Sequence, residues 1–464
     1  MQKKVRRASD LNVLLITLDT TRADRLGCYG YEKARTPNLD SLAARGVRFE
    51  KVYTQVPLTT PSHCSILTGT YPLFLQVRNN GAYSLGAELI TLAEIFRDKG
   101  FETAAFVGSF TVDSRFRLDQ GFTVYDDTFA EGQAFKALNS ERKAGQVYEA
   151  FARWLEKKLD RPFFVWVHFF DPHLPYDPPP PFNVEFAENP YDGEIAYMDE
   201  FIGKTIEAVR GRNLLSQTLV VLAGDHGEAF GEKTEAGHGV FLYDETMRVP
   251  LIFYAENRLP SGLVVKPRVR LIDIAPIILD VLKIPAAEQM QGTSLIPYIQ
   301  GKKKNNMSTY IETYFPLENY GWSPLVGVVD GDWKYIRAPR EELYDLKRDP
   351  SESRNLIDSE AKMAAAKRAR LDEFIAGFSS GISPVKRALS EAEKERLRSL
   401  GYVSQSVETP PDLFPTSRTC CPNWSSSRKP KSTRWRGNTA RPPESMRTCF
   451  PVGPKTRRDM STLL

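Results

Sequence analysis

Along the first 290 residues, short apolar runs alternate with longer segments whose apolar positions recur every three or four residues. The run NVLLITLD (12–19) has no polar position from Val13 to Ile16, which predicts a strand covered on both faces. PFFVWVHFF (162–170) and TLVVLAGD (218–225) repeat that pattern, and FETAAFVG and VPLIFYA read as further strands. Between them, TPNLDSLAARG (36–46) predicts a helix opened by Thr-Pro and closed by Gly, and ELITLAEIFRDKG (88–100) a second with the same ending. QVYEAFARWLEKKLD (146–160), GEIAYMDEFIGKTIEAVRGRNL and LIDIAPIILDVLKI continue the helical period. Strands separated by helices in this way predict an α/β fold, a large doubly wound and mostly parallel sheet flanked by helices over 10–300.

Beyond residue 300 the pattern shortens. LVGVVDGDWKYIRA (325–338) predicts a hairpin turning at Asp-Gly, and EELYDLKRDPSESRNL a third strand with a closing turn. A small antiparallel α+β subdomain is therefore expected over 301–405, ending in the helical LSEAEKERLRSLGYV. No internal repeat is visible, which excludes solenoids and propellers. From 406 to 464 the chain is rich in Pro, Ser and Arg without periodicity, and disorder is expected there.

Charge sharpens that division. The net +4 of the whole chain conceals a body of 408 residues with 51 basic and 55 acidic side chains, followed by a basic tail. The tail has no regular basic and aromatic spacing, so no nucleic-acid partner is expected. No apolar run approaches the roughly 20 residues of a transmembrane helix. The basic opening MQKKVRRASD has no signal-peptide h-region behind it and runs straight into the first strand, so as written the chain is expected to remain in the cytoplasm. Cys28, Cys64, Cys420, Cys421 and Cys449 have neither disulfide nor metal spacing and read as free thiols.

The candidate chemistry sits where the strands end. All five histidines, His63, His168, His173, His226 and His238, precede residue 240. Three strands run into polar clusters, ITLDTTRAD, VHFFDPH and AGDHGE, and in doubly wound sheets ligands gather outside the carboxyl ends of the strands. Asp19, Asp225 and His226 supply two carboxylates and an imidazole from separate strands. That set suits Mn, Zn or another borderline divalent ion, and Ca less well, with room for a hydroxyl and a substrate oxygen. Thr59, in TTPSHCSILTG (59–69), opens a helix whose N-terminal N–H groups favour anions. A metal-bound hydroxyl loses its proton more readily, so Thr59 is a candidate metal ligand and nucleophile.

LLITLDTTRADRLGCYGY, TPNLDSLAARGVRFEKVYTQVPLTTPSHCSILTG, HFFDPHLPYDPP, AGDHGEAFGEKTEAGHG, LYDETMRVPLI and ELYDLKRDPSESRNL together resemble the sulfatase family of the alkaline-phosphatase-like superfamily, collinearly over about 10–360. The resemblance implies that Asp19, Asp225 and His226 hold the metal, and that His173 and His238 contact the ester or protonate the leaving oxygen. His63, beside Thr59, joins the catalytic set; His168 reads as structural. Asp171 is open between a loop-fixing carboxylate and a further ligand. Asn80 resembles in position the asparagine with which nucleotide pyrophosphatase/phosphodiesterases hold a substrate oxygen. Many members are exported, which leaves a periplasmic or extracellular form open.

Several positions depart from the family pattern. Thr59 stands where the signature has the Cys or Ser that becomes formylglycine, and His63 where it has Arg. Threonine cannot give that aldehyde, so no formylglycine is expected. Thr20 replaces the second Asp of the usual pair, and the family's active-site lysine is absent near His238. The expected activity is metal-dependent hydrolysis of sulfate or phosphorus esters, phosphodiester or phosphonate, derived from small molecules, glycans or lipids. A head-group phosphotransferase and an inactive anion-binding homologue are the alternatives.

Overall fold

The computed structural model describes residues 11–129, 141–379, 382–400 and 402. The tail expected from 406 onward and its three cysteines lie outside them. Cys28 and Cys64 are free.

Eight strands form the main sheet: β1 (Asn12–Leu18), β2 (Val47–Phe49), β3 (Glu102–Val107), β4 (Val124–Asp126), β5 (Phe163–Phe169), β6 (Thr218–Gly224), β7 (Leu251–Tyr254) and β8 (Leu263–Val265). Their spatial order is β8-β2-β7-β6-β1-β5-β3-β4. β1 lies parallel between β5 and β6, and β7 runs antiparallel to both its neighbours. Successive side chains of β1 point to opposite faces: Val13 and Leu15 enter one apolar core, and Leu14, Ile16 and Leu18 the other. The uninterrupted apolar run is the consequence of both faces being covered by helices.

One face carries α2 (Thr59–Thr68), α3 (Leu92–Asp98) and α6 (Ile274–Leu282); the other carries α1 (Pro37–Arg45), α4 (Ala144–Leu155) and α5 (Pro190–Gly211). α1 begins at Pro37 and stops at Gly46, as its Thr-Pro and Gly predict. α3 starts four residues later than its apolar period suggests. The Thr91 hydroxyl accepts from Glu94 N–H while the Glu94 carboxylate accepts from Thr91 N–H, and this capping box fixes the first turn.

The smaller sheet, β9 (Thr309–Thr313), β10 (Leu325–Asp330), β11 (Trp333–Arg337) and β12 (Glu342–Asp345), is antiparallel throughout. β9 adds a strand that the sequence pattern did not suggest. The β10–β11 turn consists of Gly331 and Asp332, with Asp330 still paired to Trp333 and Gly331 at φ +61°. α7 (Ala361–Phe378) covers this sheet, and Tyr310, Val328 and Tyr335 pack with Tyr71 and Ile272 of the main body. The last described elements are α8 (Glu391–Ser399) and Tyr402. Among the described residues no helix is long and apolar enough to cross a membrane.

Candidate active site

The ladder brings two carboxylates together. Leu18 pairs with Gly224 on one side and Phe169 on the other, so the residues after them leave the sheet side by side. Asp19 N–H donates to Phe169 O, and Asp225 N–H to Leu18 O. The next residue, Thr20, has φ +45°, costly for a β-branched side chain, and its N–H donates to Asp225 Oδ1. The chain thus turns sharply while both carboxylates stay at the sheet's edge. His226 donates from Nδ1 to Gly227 O, which leaves its Nε2 lone pair directed into the site.

One donor atom each from Asp19, Asp225 and His226 lies within 4.8 Å of the others, and all three residues are buried. Both Asp19 oxygens and Asp225 Oδ2 lack hydrogen-bond partners among the described residues. No Lys or Arg forms an ion pair with either carboxylate there; their neighbours are His63, His168 and His226. Burial pushes the Asp19 carboxyl well above the usual range, and burial together with Asp19 does the same to Asp225. Burial, with His238 adding to it, pushes the His226 imidazole well down. Two water-stripped carboxylates with unused lone pairs beside a neutral imidazole fit a divalent cation, whose charge would favour their ionised forms.

Thr59 is the first residue of α2, a helix without a side-chain cap that ends at Gly69 in the left-handed conformation. Its Oγ1 lies 3.2 Å from His226 Nε2. Asn80 Oδ1 accepts from Thr60 N–H at 2.8 Å, while Asn80 Nδ2 is buried without a partner among the described residues. The amide is therefore anchored at one end beside the helix N-terminus and has a free donor at the other.

His63 and His168 lie behind this group. His63 Nδ1 donates to Thr59 O at 2.8 Å and its Nε2 accepts from the Thr17 hydroxyl at 2.9 Å. Both ring nitrogens of this residue, expected among the catalytic groups, are therefore engaged inside the fold. His168 lies in β5 with Nε2 3.3 Å from Asp19 Oδ2, and burial pushes its imidazole down to about 3. It abuts the carboxylate cluster directly, a contact its sequence position did not reveal.

His173 and His238 form the opposite wall. His173 N–H donates to Glu194 Oε2, and Glu194 Oε1 accepts from Asp177 N–H and Lys143 Nζ. Asp171 accepts from Ala144 N–H through Oδ2 and lies 3.5 Å from Lys143 Nζ through Oδ1, which is the loop-fixing arrangement. The His238 loop is held by Glu235, which accepts from Val240 N–H, and by Thr313, whose hydroxyl donates to Gly239 O. Burial pushes the His173 imidazole down to about 3, with His238 adding to it, and burial alone takes His238 to about 4.

One residue at this wall was absent from the sequence expectations. The Tyr402 hydroxyl lies 3.0 Å from His173 Nε2 and 3.1 Å from His238 Nε2, and it also interacts with the Thr59 side chain. Its only sequence signal was a Gly-Tyr following an amphipathic helix.

The sulfatase family model matches residues 11–284, and the model for the C-terminal part of N-sulphoglucosamine sulphohydrolases matches 238–376. An ulvan-active sulfatase of Formosa agariphila is 28% identical, covering 75% of this chain and 77% of its own length. An arylsulfatase of Clostridium perfringens is 26% identical over 75% of this chain and 90% of its own. The crystal structure of a phosphonate monoester hydrolase of Agrobacterium radiobacter shares the fold, with a TM-score of 0.68, 21% identity, and coverage of 82% of this chain and 100% of that one.

Proposed function

Because the chain belongs to the sulfatase family, we propose that it is a metal-dependent ester hydrolase with Thr59 as nucleophile, acting on phosphodiesters or phosphonate monoesters in preference to sulfate esters. The observation that carries this reading is the position of Thr59 Oγ1. It lies at a helix N-terminus, 3.2 Å from His226 Nε2, with the Asp19 carboxylate and Asp225 Oδ2, unpartnered among the described residues, on one side and His173 and His238 on the other.

A divalent cation held by Asp19, Asp225, His226 and the Thr59 hydroxyl would lower that hydroxyl's pKa and offset negative charge developing on the ester. The remaining roles belong to the protein. The Asn80 Nδ2, without a partner among the described residues, donates to an ester oxygen. Thr59 Oγ attacks phosphorus, its proton passes to the Nε2 lone pair of His173 or His238, and that imidazolium hands it to the leaving oxygen as the bond to phosphorus breaks. His63 positions Thr59 by gripping its carbonyl.

The threonyl ester has no aldehyde hydrate to collapse, so its release requires water to attack phosphorus in line, returning the Thr59 oxygen as the leaving group. This favours phosphorus over sulfate, and the neighbour of like fold that hydrolyses phosphonate monoesters supports the same preference. The test is turnover of p-nitrophenyl sulfate, phosphate, phosphodiester and phenylphosphonate by wild type and Thr59→Ala, with Mn, Zn or Ca restored after chelation. Turnover of a phosphorus ester that Thr59→Ala abolishes is expected. Exclusive sulfate turnover would overturn the substrate preference, and an active Thr59→Ala enzyme the nucleophile.

A further inference from the structure

His173 Nδ1 donates to Leu174 O at 2.7 Å, and His238 Nδ1 to Pro57 O at 3.0 Å. With those protons committed, both Nε2 atoms of the neutral rings present lone pairs, and both lone pairs meet one oxygen, that of Tyr402. A phenol has a single proton and can satisfy one imidazole at a time. The point between the two histidines therefore holds one donor facing two acceptors, beside the Thr59 hydroxyl. No Lys or Arg among the described residues hydrogen-bonds to Thr59, His173 or His238. The donor that the two imidazoles share is a neutral hydroxyl.

The segment that delivers this hydroxyl is docked by specific contacts. Ser390 and Glu393 form a capping box at the start of α8, and Glu393 Oε1 also bonds to Arg115 and Arg387, each at 3.0 Å. Leu397 and Leu400 enter a cluster with Leu58, Phe110, Phe116, Phe170 and Phe315. Tyr402 N–H donates to Leu397 O at 2.7 Å. Gly81, directly after Asn80 and at φ +85°, has no room for a Cβ because Leu397 occupies that space. The loop bearing Asn80 and the segment bearing Tyr402 are fitted to each other.

Resting on the hydrolase reading above, we propose that Tyr402 is a further catalytic residue, donating its hydroxyl to the ester oxygen that lies between Thr59 and the two imidazoles. On substrate binding the phenolic O–H turns from an imidazole lone pair to that oxygen, and no covalent bond changes at the tyrosine. The full chain thereby completes its site with a side chain 229 positions from His173 and 164 from His238.

Tyr402→Phe removes the hydroxyl and keeps the ring, and its melting temperature verifies the fold. With metal restored and the ester that wild type turns over best, kcat is expected to fall on the order of 10²-fold with KM little changed. Unchanged kcat overturns the proposal, and so does a faster Tyr402→Phe or Tyr402→Ala enzyme, which would make the ring an obstruction. Orthovanadate binding by calorimetry gives a readout independent of turnover, with about tenfold weaker binding expected for Tyr402→Phe. If wild type hydrolyses no ester yet this loss of vanadate affinity appears, the hydrolase reading falls and the Tyr402 contact stands. Equal vanadate affinity, or none in wild type, overturns both the contact and this proposal.

Discussion

Asp19 and Asp225 leave adjacent parallel strands whose register is fixed residue by residue, whereas His173, His238 and Tyr402 arrive on loops and on the segment that follows α8, held by a few hydrogen bonds each. The first wall draws its geometry from the strands at the centre of the molecule. Moving either carboxylate would require shifting strands buried on both faces. The second wall draws its geometry from Glu194, Lys143, Glu235, Glu393 and their partners, which can change without disturbing the sheet. Under the proposed function, the difference assigns cation chemistry to the rigid strand ends and substrate contacts to the adjustable loops.

The largest expected effect tests the rigid wall. Asp225→Ala removes a buried carboxylate from the cation set and should reduce turnover on the order of 10³-fold or more, with divalent-ion binding by calorimetry reduced in parallel. Unchanged ion binding would show that the strand ends do not form the cation site.

The next tests what anchors the second wall. Lys334 is buried, with Nζ 2.6 Å from both Asp244 Oδ1 and Glu352 Oε1, and it donates to Leu242 O four residues after His238. Lys334→Met leaves two carboxylates without their buried cation and should cost about 3–5 kcal/mol in urea unfolding. A cost near zero would mean that the His238 loop is held by its other contacts.

His238→Ala should lower kcat about 10²-fold, more for poor leaving groups than for p-nitrophenolate. Equal losses across leaving groups would remove its role as proton donor and leave His173 to supply it.

The smallest effect concerns the anchor of Tyr402. Burial raises the Glu393 carboxyl, but the Ser390 N–H and hydroxyl and the Arg387 guanidinium outweigh it and hold the group at about 2. Because the folded value lies below the ordinary 4.5, its contribution is present above pH 4.5 and is lost as pH falls towards 2. Hydrogen exchange of α8 should accelerate across that window, and Glu393→Gln should flatten the dependence. A pH-independent exchange rate would show that apolar contacts alone dock the segment.

Much of the scaffold was legible because its causes are local. Apolar runs marked the strands, Thr-Pro and Gly bounded α1, and the polar residues just past three strand ends marked the face where ligands gather. The start of α3 was misplaced because a capping box outweighs an apolar period that continues upstream of it. β9 escaped notice because a five-residue strand in a turn-rich region carries little periodicity of its own. The engagement of both nitrogens of His63, in α2, depends on Thr17 of β1, which no spacing could reveal.

The sequence by itself determined that a parallel sheet would present Asp19, Asp225 and His226 at its carboxyl edge and Thr59 at a helix start, because strand period and helix-capping chemistry are properties of neighbouring residues. The tertiary structure alone decided that His168 would lie against Asp19, that Asn80 would keep an amide donor without a partner among the described residues, and that Tyr402 would stand between His173 and His238. Those contacts join residues separated by many tens to hundreds of positions. They exist only once the cores have formed and the loops have found their partners.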